Sequence, residues 1–138
     1  MPRVEGDFAE LLHAVATGRL DEIEPPRLSP DSTMAVIVAA RGYPGTPAKG
    51  GQIEGIDAAE QAPGVTVFHA GTAAHSSGAL LAVGGRVLAV TGKAPTLQAA
   101  RDAAMAAIDR IDFADGFHRR DIGWRELERQ ALPPHVQP

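Results

Sequence analysis

Arg41-Gly-Tyr-Pro-Gly-Thr-Pro-Ala-Lys-Gly-Gly51 is the stretch on which the reading of this chain turns. It follows directly on Met34–Ala40, a short apolar run rich in β-branched residues that reads as a buried strand. Within it, Tyr43-Pro44-Gly45-Thr46 reads as a type II turn, with proline presetting φ at the second position and glycine accepting a positive φ at the third. A strand that ends in such a loop belongs to a sheet held together by turns. The 15 glycines and 11 prolines of the chain point the same way, since they favour many tight turns over a helical bundle.

Downstream, Val65–Ala70, Ala79–Val83 and Arg86–Thr91 read as three further strands. The Gly84-Gly85 pair between the last two predicts a tight hairpin. Ile53–Gln61 combines a short strand with a helical turn at Asp57–Glu60. Thr96–Ile111 is the clearest helix, with Thr96 as N-cap and Leu97, Ala100, Ala104, Ile108 and Ile111 along one face. Phe117–Leu127 brings a basic turn and then a short strand or helix.

Upstream, residues 5–19 predict an amphipathic helix whose apolar face is Phe8, Leu11, Leu12 and Val15, with Gly18 as its stop. Pro25, Pro26 and Pro30 make residues 21–31 an extended connector. The division expected is therefore 1–31 as helix and connector, 32–130 as the compact domain, and 131–138, with Pro133, Pro134 and Pro138, as a frayed tail.

A chain of 138 residues is long enough for one domain with a true core. Its net charge of −4 argues against a nucleic-acid partner, which would demand an excess of base. No apolar run approaches the ~18 residues of a membrane span, so no membrane partner is expected. The absence of cysteine excludes disulfides, thiolate metal sites and a cysteine nucleophile, and agrees with a cytoplasmic protein. His13, His69, His75, His118 and His135 show no metal-ligand spacing, so no metal site is expected in the chain. P-loop, dinucleotide-binding and nucleophile-elbow motifs are also missing.

Several residues can carry chemistry, each beside a plainer role. Lys49 in the glycine-rich loop is either a ligand contact or a solvated cation. His69 ends a strand and is either a proton-transfer group or a hydrogen-bonded structural residue, while Gly71 and Thr72 end the strand and present a hydroxyl. Arg119-Arg120-Asp121 is the sharpest local signal. Two adjacent guanidiniums can grip a phosphate through bidentate donors. The alternative is that Asp121 pairs with one arginine and the other is solvated. Arg86 after Gly84-Gly85 is the weaker candidate.

Four segments, Arg41–Gly51, Val67-Phe-His-Ala-Gly-Thr72, Gly84-Gly-Arg-Val-Leu88 and His118-Arg-Arg-Asp-Ile-Gly123, taken in this order, resemble the C-terminal domain of the phosphoribosylamine–glycine ligase (glycinamide ribonucleotide synthetase) family of ATP-grasp enzymes. The resemblance runs from about Pro2 to Leu127. It implies an α+β fold, a mostly antiparallel sheet with one long helix, like the small barrel-sandwich C-terminal domains of ATP-grasp enzymes. For the intact enzyme it implies a ligase of purine biosynthesis that joins glycine to 5-phosphoribosylamine, using ATP with Mg or Mn. The catalytic centre is expected to lie before Met1, in an N-terminal ATP-grasp portion that is this chain's partner, so the chain alone is expected to be inactive. Its first helix, made to pack on that portion, is expected to be only partly buried. The resemblance assigns Arg119 and Arg120 to the substrate's phosphate, and Tyr43, Lys49, Gly71 and Thr72 to a loop facing the cleft. One departure stands out: the family usually has Asn where this chain has Val83. The competing expectations are a stand-alone module for a phosphorylated metabolite, a separately encoded subunit of a split ligase, or a gene fragment without a role of its own.

Overall fold

The computed structural model describes residues 1–133. In chain order the elements are β1 (Val4–Glu5), α1 (Phe8–Thr17), a 3-10 turn (Leu20–Glu22), β2 (Arg27–Leu28), β3 (Ser32–Ala40), β4 (Gln52–Ile53), α2 (Ile56–Glu60), β5 (Val65–His69), β6 (Thr72–Ala74), β7 (Leu80–Ala82), β8 (Arg86–Ala94), α3 (Leu97–Ile108), β9 (Gly116–Phe117) and α4 (Trp124–Ala131). The fold is α+β, and every strand pair is antiparallel. Residues 134–138 of the expected tail lie outside the described residues, and α4 extends to Ala131.

The core is a four-stranded sheet in the order β5-β8-β3-β9. Alternation along β3 turns Met34, Val36 and Val38 inward to meet Val90 and Leu88 of β8 and Val67 of β5. α3 covers this face with Ala100, Ala104, Ala107 and Ile108, and Thr96 caps it by accepting from the Ala99 N–H at 3.2 Å. The small residues let the helix lie close. Gly92 of β8 sits directly beneath it, and a β-carbon there would strike the carbonyl of Ala100 and stand 2.9 Å from the nitrogen of Ala104.

The opposite face is only partly covered, by the N-terminal segment at Met1, Pro2 and Phe8. Ile37 and Phe68 flank Ala89 in one row across the sheet, Phe117 pairs with Ala39 beside them, and the three large side chains are about 40% exposed (41%, 38% and 43%). Such a patch is of the sort that a partner covers.

A three-stranded sheet, β4-β7-β6, is separate from the first. This overturns the expected hairpin at Gly84-Gly85, because β7 and β8 belong to different sheets and do not pair with each other. Neither glycine has a positive φ. They serve instead as a narrow crossing between sheets, Gly84 against Gly71 and Gly85 against Tyr43. β6 carries no apolar run and was not foreseen.

At the N-terminus β1 and β2 pair and close the chain around α1, so the connector at 21–31 contains a paired strand as well as extended backbone. α1 is capped by Asp7, which accepts from the Ala9 and Glu10 N–H groups, and it ends at Gly18 with φ 68°. Only Ala14 of α1 is buried. Phe8 and Leu11 are half-buried, and Leu12 and Val15 are each 53% exposed. The helix has little of this domain to pack on.

Candidate functional site

Three loops meet at the end of the main sheet where β3 and β5 finish and β8 begins. Ala40 donates to the Gly85 carbonyl at 2.8 Å, and Ala48 donates to Arg41 at 2.8 Å, folding residues 41–48 back on themselves. Gly50 donates to Ala82 at 2.7 Å, tying the far end of the same loop to β7. Gly71 donates to Arg86 at 2.9 Å and accepts from Val83 at 2.8 Å. The backbones of the Tyr43, Gly71 and Gly85 loops are thus joined by hydrogen bonds rather than by large side chains. They leave a cleft lined by Ile37, Tyr43, Ala70, Gly85, Arg86 and Leu88.

The turn that opens the first loop is not the expected type II turn. The Tyr43–Pro44 bond is cis, and the positive φ belongs to Gly42 at 92°, not to Gly45. At Gly42 a side chain would also collide with the carbonyl of Thr46, so only glycine fits.

Of the sequence candidates, Tyr43, Lys49, Gly71 and Thr72 are brought to this end by the loop bonds. His69 and Thr72 form a local pair, Nδ1 to Oγ1 at 3.1 Å. Arg41 donates to the Ala114 carbonyl at 3.1 Å and stands 4.0 Å from Asp115. Lys49 and Arg86 are exposed and make no side-chain hydrogen bond or ion pair among the described residues. Val83 is 44% exposed and supplies no polar group in the place where the resemblance expects Asn.

Arg119 and Arg120 are placed elsewhere. β9 pairs Phe117 with Ala39 and runs antiparallel to β3, so the residues after it travel back along β3, away from the 42–51 loop. By Gly123 the chain has reached Met34, whose side chain it touches. Both arginines are already paired. Arg119 grips Asp121 through two bonds of 3.0 and 2.7 Å, and Arg120 reaches Asp109 at 2.8 Å. The hydrogen bond from Arg119 holds the Asp121 carboxyl below its usual range. Arg101 of α3, which no motif or spacing singles out, pins this segment by donating to the carbonyls of Arg120 and Ile122. His118 completes the cluster. Its Nε2 is buried without a partner among the described residues, and burial, then Arg120, push its pKa down against the opposing pull of Asp109.

No three His, Asp or Glu side chains gather into a metal-binding group among the described residues. Of the acids near the N-terminus, Asp7 is occupied in capping α1. Among the described residues no donor set for magnesium is gathered. Among the described residues no helix is long and apolar enough to cross a membrane.

The fold and site define an antiparallel α+β domain with a glycine-walled cleft and a cationic rim. The chain belongs to the family described as "Phosphoribosylglycinamide synthetase, C domain", whose model matches residues 33–125. It is 50% identical over 129 residues to a phosphoribosylamine–glycine ligase of Phenylobacterium zucineum, covering 94% of this chain and 30% of that protein. A chloroplastic phosphoribosylamine–glycine ligase of Arabidopsis thaliana is 46% identical, with 96% of this chain and 25% of the relative covered. The crystal structure of phosphoribosylamine–glycine ligase from Thermotoga maritima superposes with a TM-score of 0.64 at 32% identity, over 80% of this chain and 27% of that one. The chain therefore spans about a quarter to a third of the length of these relatives.

Proposed function

We propose that this chain supplies the C-terminal portion of a phosphoribosylamine–glycine ligase, an ATP-grasp enzyme of purine biosynthesis. The observation that carries the reading is the family match over residues 33–125, which takes in the whole of the three-loop cluster. In this reading residues 1–31 lead in from the ATP-grasp portion, and 32–130 form the C-terminal domain. The intact enzyme transfers the terminal phosphoryl group of ATP to the carboxylate of glycine. The amine of 5-phosphoribosylamine then attacks the glycyl phosphate and phosphate departs. ATP and its Mg or Mn ion belong to the partner portion, and no step of their chemistry is assigned to residues of this chain.

The work proposed for this chain is to close one side of the cleft. Two surfaces suit a covering by the ATP-grasp portion: the partly open sheet face with Ile37, Phe68 and Phe117, and the exposed Leu12 and Val15 of α1. The chain's absence of cysteine suits the cytoplasm, where we place the enzyme.

Mixing the purified chain with the remaining N-terminal portion of the Phenylobacterium relative, and following ADP release with glycine and phosphoribosylamine, tests the proposal. Neither part alone should turn over, and the two together should. Failure of the parts to associate or to act together overturns it. The second reading, a stand-alone module for a phosphorylated metabolite, is favoured by Lys49 and Arg86, cations without a partner among the described residues. It predicts binding by the chain with no gain on mixing.

A further inference from the structure

We infer that Arg86, rather than Arg119 or Arg120, is the residue of this chain that binds the phosphate of a ribose 5-phosphate ligand. The inference rests on the proposed function only for the choice of ligand, and on the geometry for the site.

The first support is the state of the three guanidiniums. Arg119 commits the Nε–Nη2 edge of its guanidinium to Asp121, and Arg120 donates through Nη2 to Asp109. A phosphate taken by either would sit beside a carboxylate already bonded to that arginine, and the like charges repel. Arg86 has no such competitor among the described residues, and it lines the cleft.

The second is the backbone beneath it. The β3–β8 register slips between Val38 and Ala39: Val38 faces Leu88, whereas Ala39 faces Arg86, leaving Val87 as an extra residue. Val87 and Leu88 are both fully buried. Without this bulge, Arg86 would follow Leu88 onto the α3 side of the sheet. With it, the guanidinium is turned out of the core and onto the rim. A bulge that re-aims one side chain beside a cleft is a recurrent device of binding sites.

The third is the company. The other cations on these loops are Lys49 and Arg41, and the acid facing them is Asp115, which lies 4.0 Å from Arg41. This end is therefore cationic in a chain whose net charge is −4. Tyr43, Ile37 and Ala70 give the cleft an apolar floor on which a sugar can lie, while Gly85 lets the ligand approach bare backbone. An apolar floor with one arginine at its edge matches a sugar bearing a terminal phosphate.

The test is an amide and arginine-side-chain NMR titration of the isotopically labelled chain with ribose 5-phosphate. Inorganic phosphate, ribose and metal-free ATP form the comparison arms. Ribose 5-phosphate should shift the signals of Ala70, Gly85 and the Arg86 guanidinium, and inorganic phosphate should shift Arg86 more weakly. Ribose should leave it unmoved. Arg86→Ala should weaken binding at least about tenfold, and Arg86→Lys by less, because it keeps the charge without the fork. Arg119→Ala and Arg120→Ala should leave the titration unchanged. Shifts centred on residues 119–121, binding of ATP but not of ribose 5-phosphate, or no shift up to about 20 mM, which would expose any millimolar Kd, each overturn the assignment. Ligase activity on mixing with the N-terminal portion, but no response at Arg86, removes this inference alone. A response at Arg86 without ligase activity removes only the ligase reading.

Discussion

A β-carbon on Gly85 would stand 2.5 Å from Cδ2 of Tyr43, so the aromatic ring rests directly on bare backbone at the crossing between the two sheets. The loop that begins at Arg41 and the strand that begins at Arg86 are held in register by this contact.

Gly85→Ala should therefore displace the ring. Tyr43 is 39% exposed and can swing outward, so the expected cost is at the low end of overpacking, about 1 kcal/mol. Tyr43→Ala in the same background should recover much of that loss. Urea unfolding of both single variants and the double variant measures the coupling, and simple additivity would show that the two residues do not interact.

Gly92→Ala should be far worse. The obstacle there is the backbone of α3 at Ala100 and Ala104, which cannot rotate away. We expect a loss of about 3 kcal/mol or more, with α3 losing its amide protection before the β3–β8 pair does. A variant as stable as the parent would mean that α3 does not lie against β8 at this point.

Asp7→Ala removes a side chain that accepts two N–H bonds at the start of α1. N-cap removals typically cost about 0.5–2 kcal/mol. Because α1 packs mainly on the adjacent 3-10 turn, the loss should appear as local fraying seen by hydrogen exchange, with the global urea midpoint almost unmoved. A matching fall in the global midpoint would show instead that α1 unfolds with the core.

Burial, then Arg120, lower the pKa of His118, so the folded state favours the neutral ring. The stability this confers is complete above the unfolded value of about 6.5 and is lost as the pH falls through the folded pKa. The urea midpoint should drop between about pH 7.5 and 5.5, and His118→Gln should flatten part of that drop. An identical profile in the variant would mean that His118 is not the group responsible. Asp121 and Glu126 act in a lower window, because their folded pKa values are depressed, that of Glu126 to about 2 by Arg129 and then Gln130. Their contribution is present above the ordinary carboxylate range and is lost only in stronger acid.

α1 and α3 were legible because their signals are local, whereas the segment of α4 was open between strand and helix. Thr96 caps α3 as read, and the spacing of Ala100, Ala104 and Ile108 is the buried stripe observed. β3, β5 and β8 were readable from apolar runs, although β8 extends beyond Thr91 to Ala94. Gly84-Gly85 was misread because two apolar runs around a glycine pair look the same whether the strands pair or part into different sheets. The Tyr43-Pro44 turn was misread because no residue in it reports the cis bond or moves the positive φ to Gly42. The pairing of Arg119 with Asp121 was visible as an alternative. That of Arg120 with Asp109 was not, since α3 and the basic turn meet only in the folded chain.

The central pairing of β3 with β8 joins Ser32 to Ala94 and Val38 to Leu88, so β3 cannot join the sheet until about fifty residues or more of intervening chain have been gathered in, whereas β5 and β8 are much closer in sequence. Closing so long a loop carries an entropy cost that is repaid only once distant strands meet, which ties refolding to the slower, milliseconds-to-seconds regime of non-local topologies. Until that moment Met34–Ala40 is an apolar segment with free edges, while Arg86–Ala94 has β5 as its nearer partner. During synthesis the first must therefore wait for the second to emerge, and a chaperone or an already folded neighbour that shields it in that interval would raise the yield of native protein.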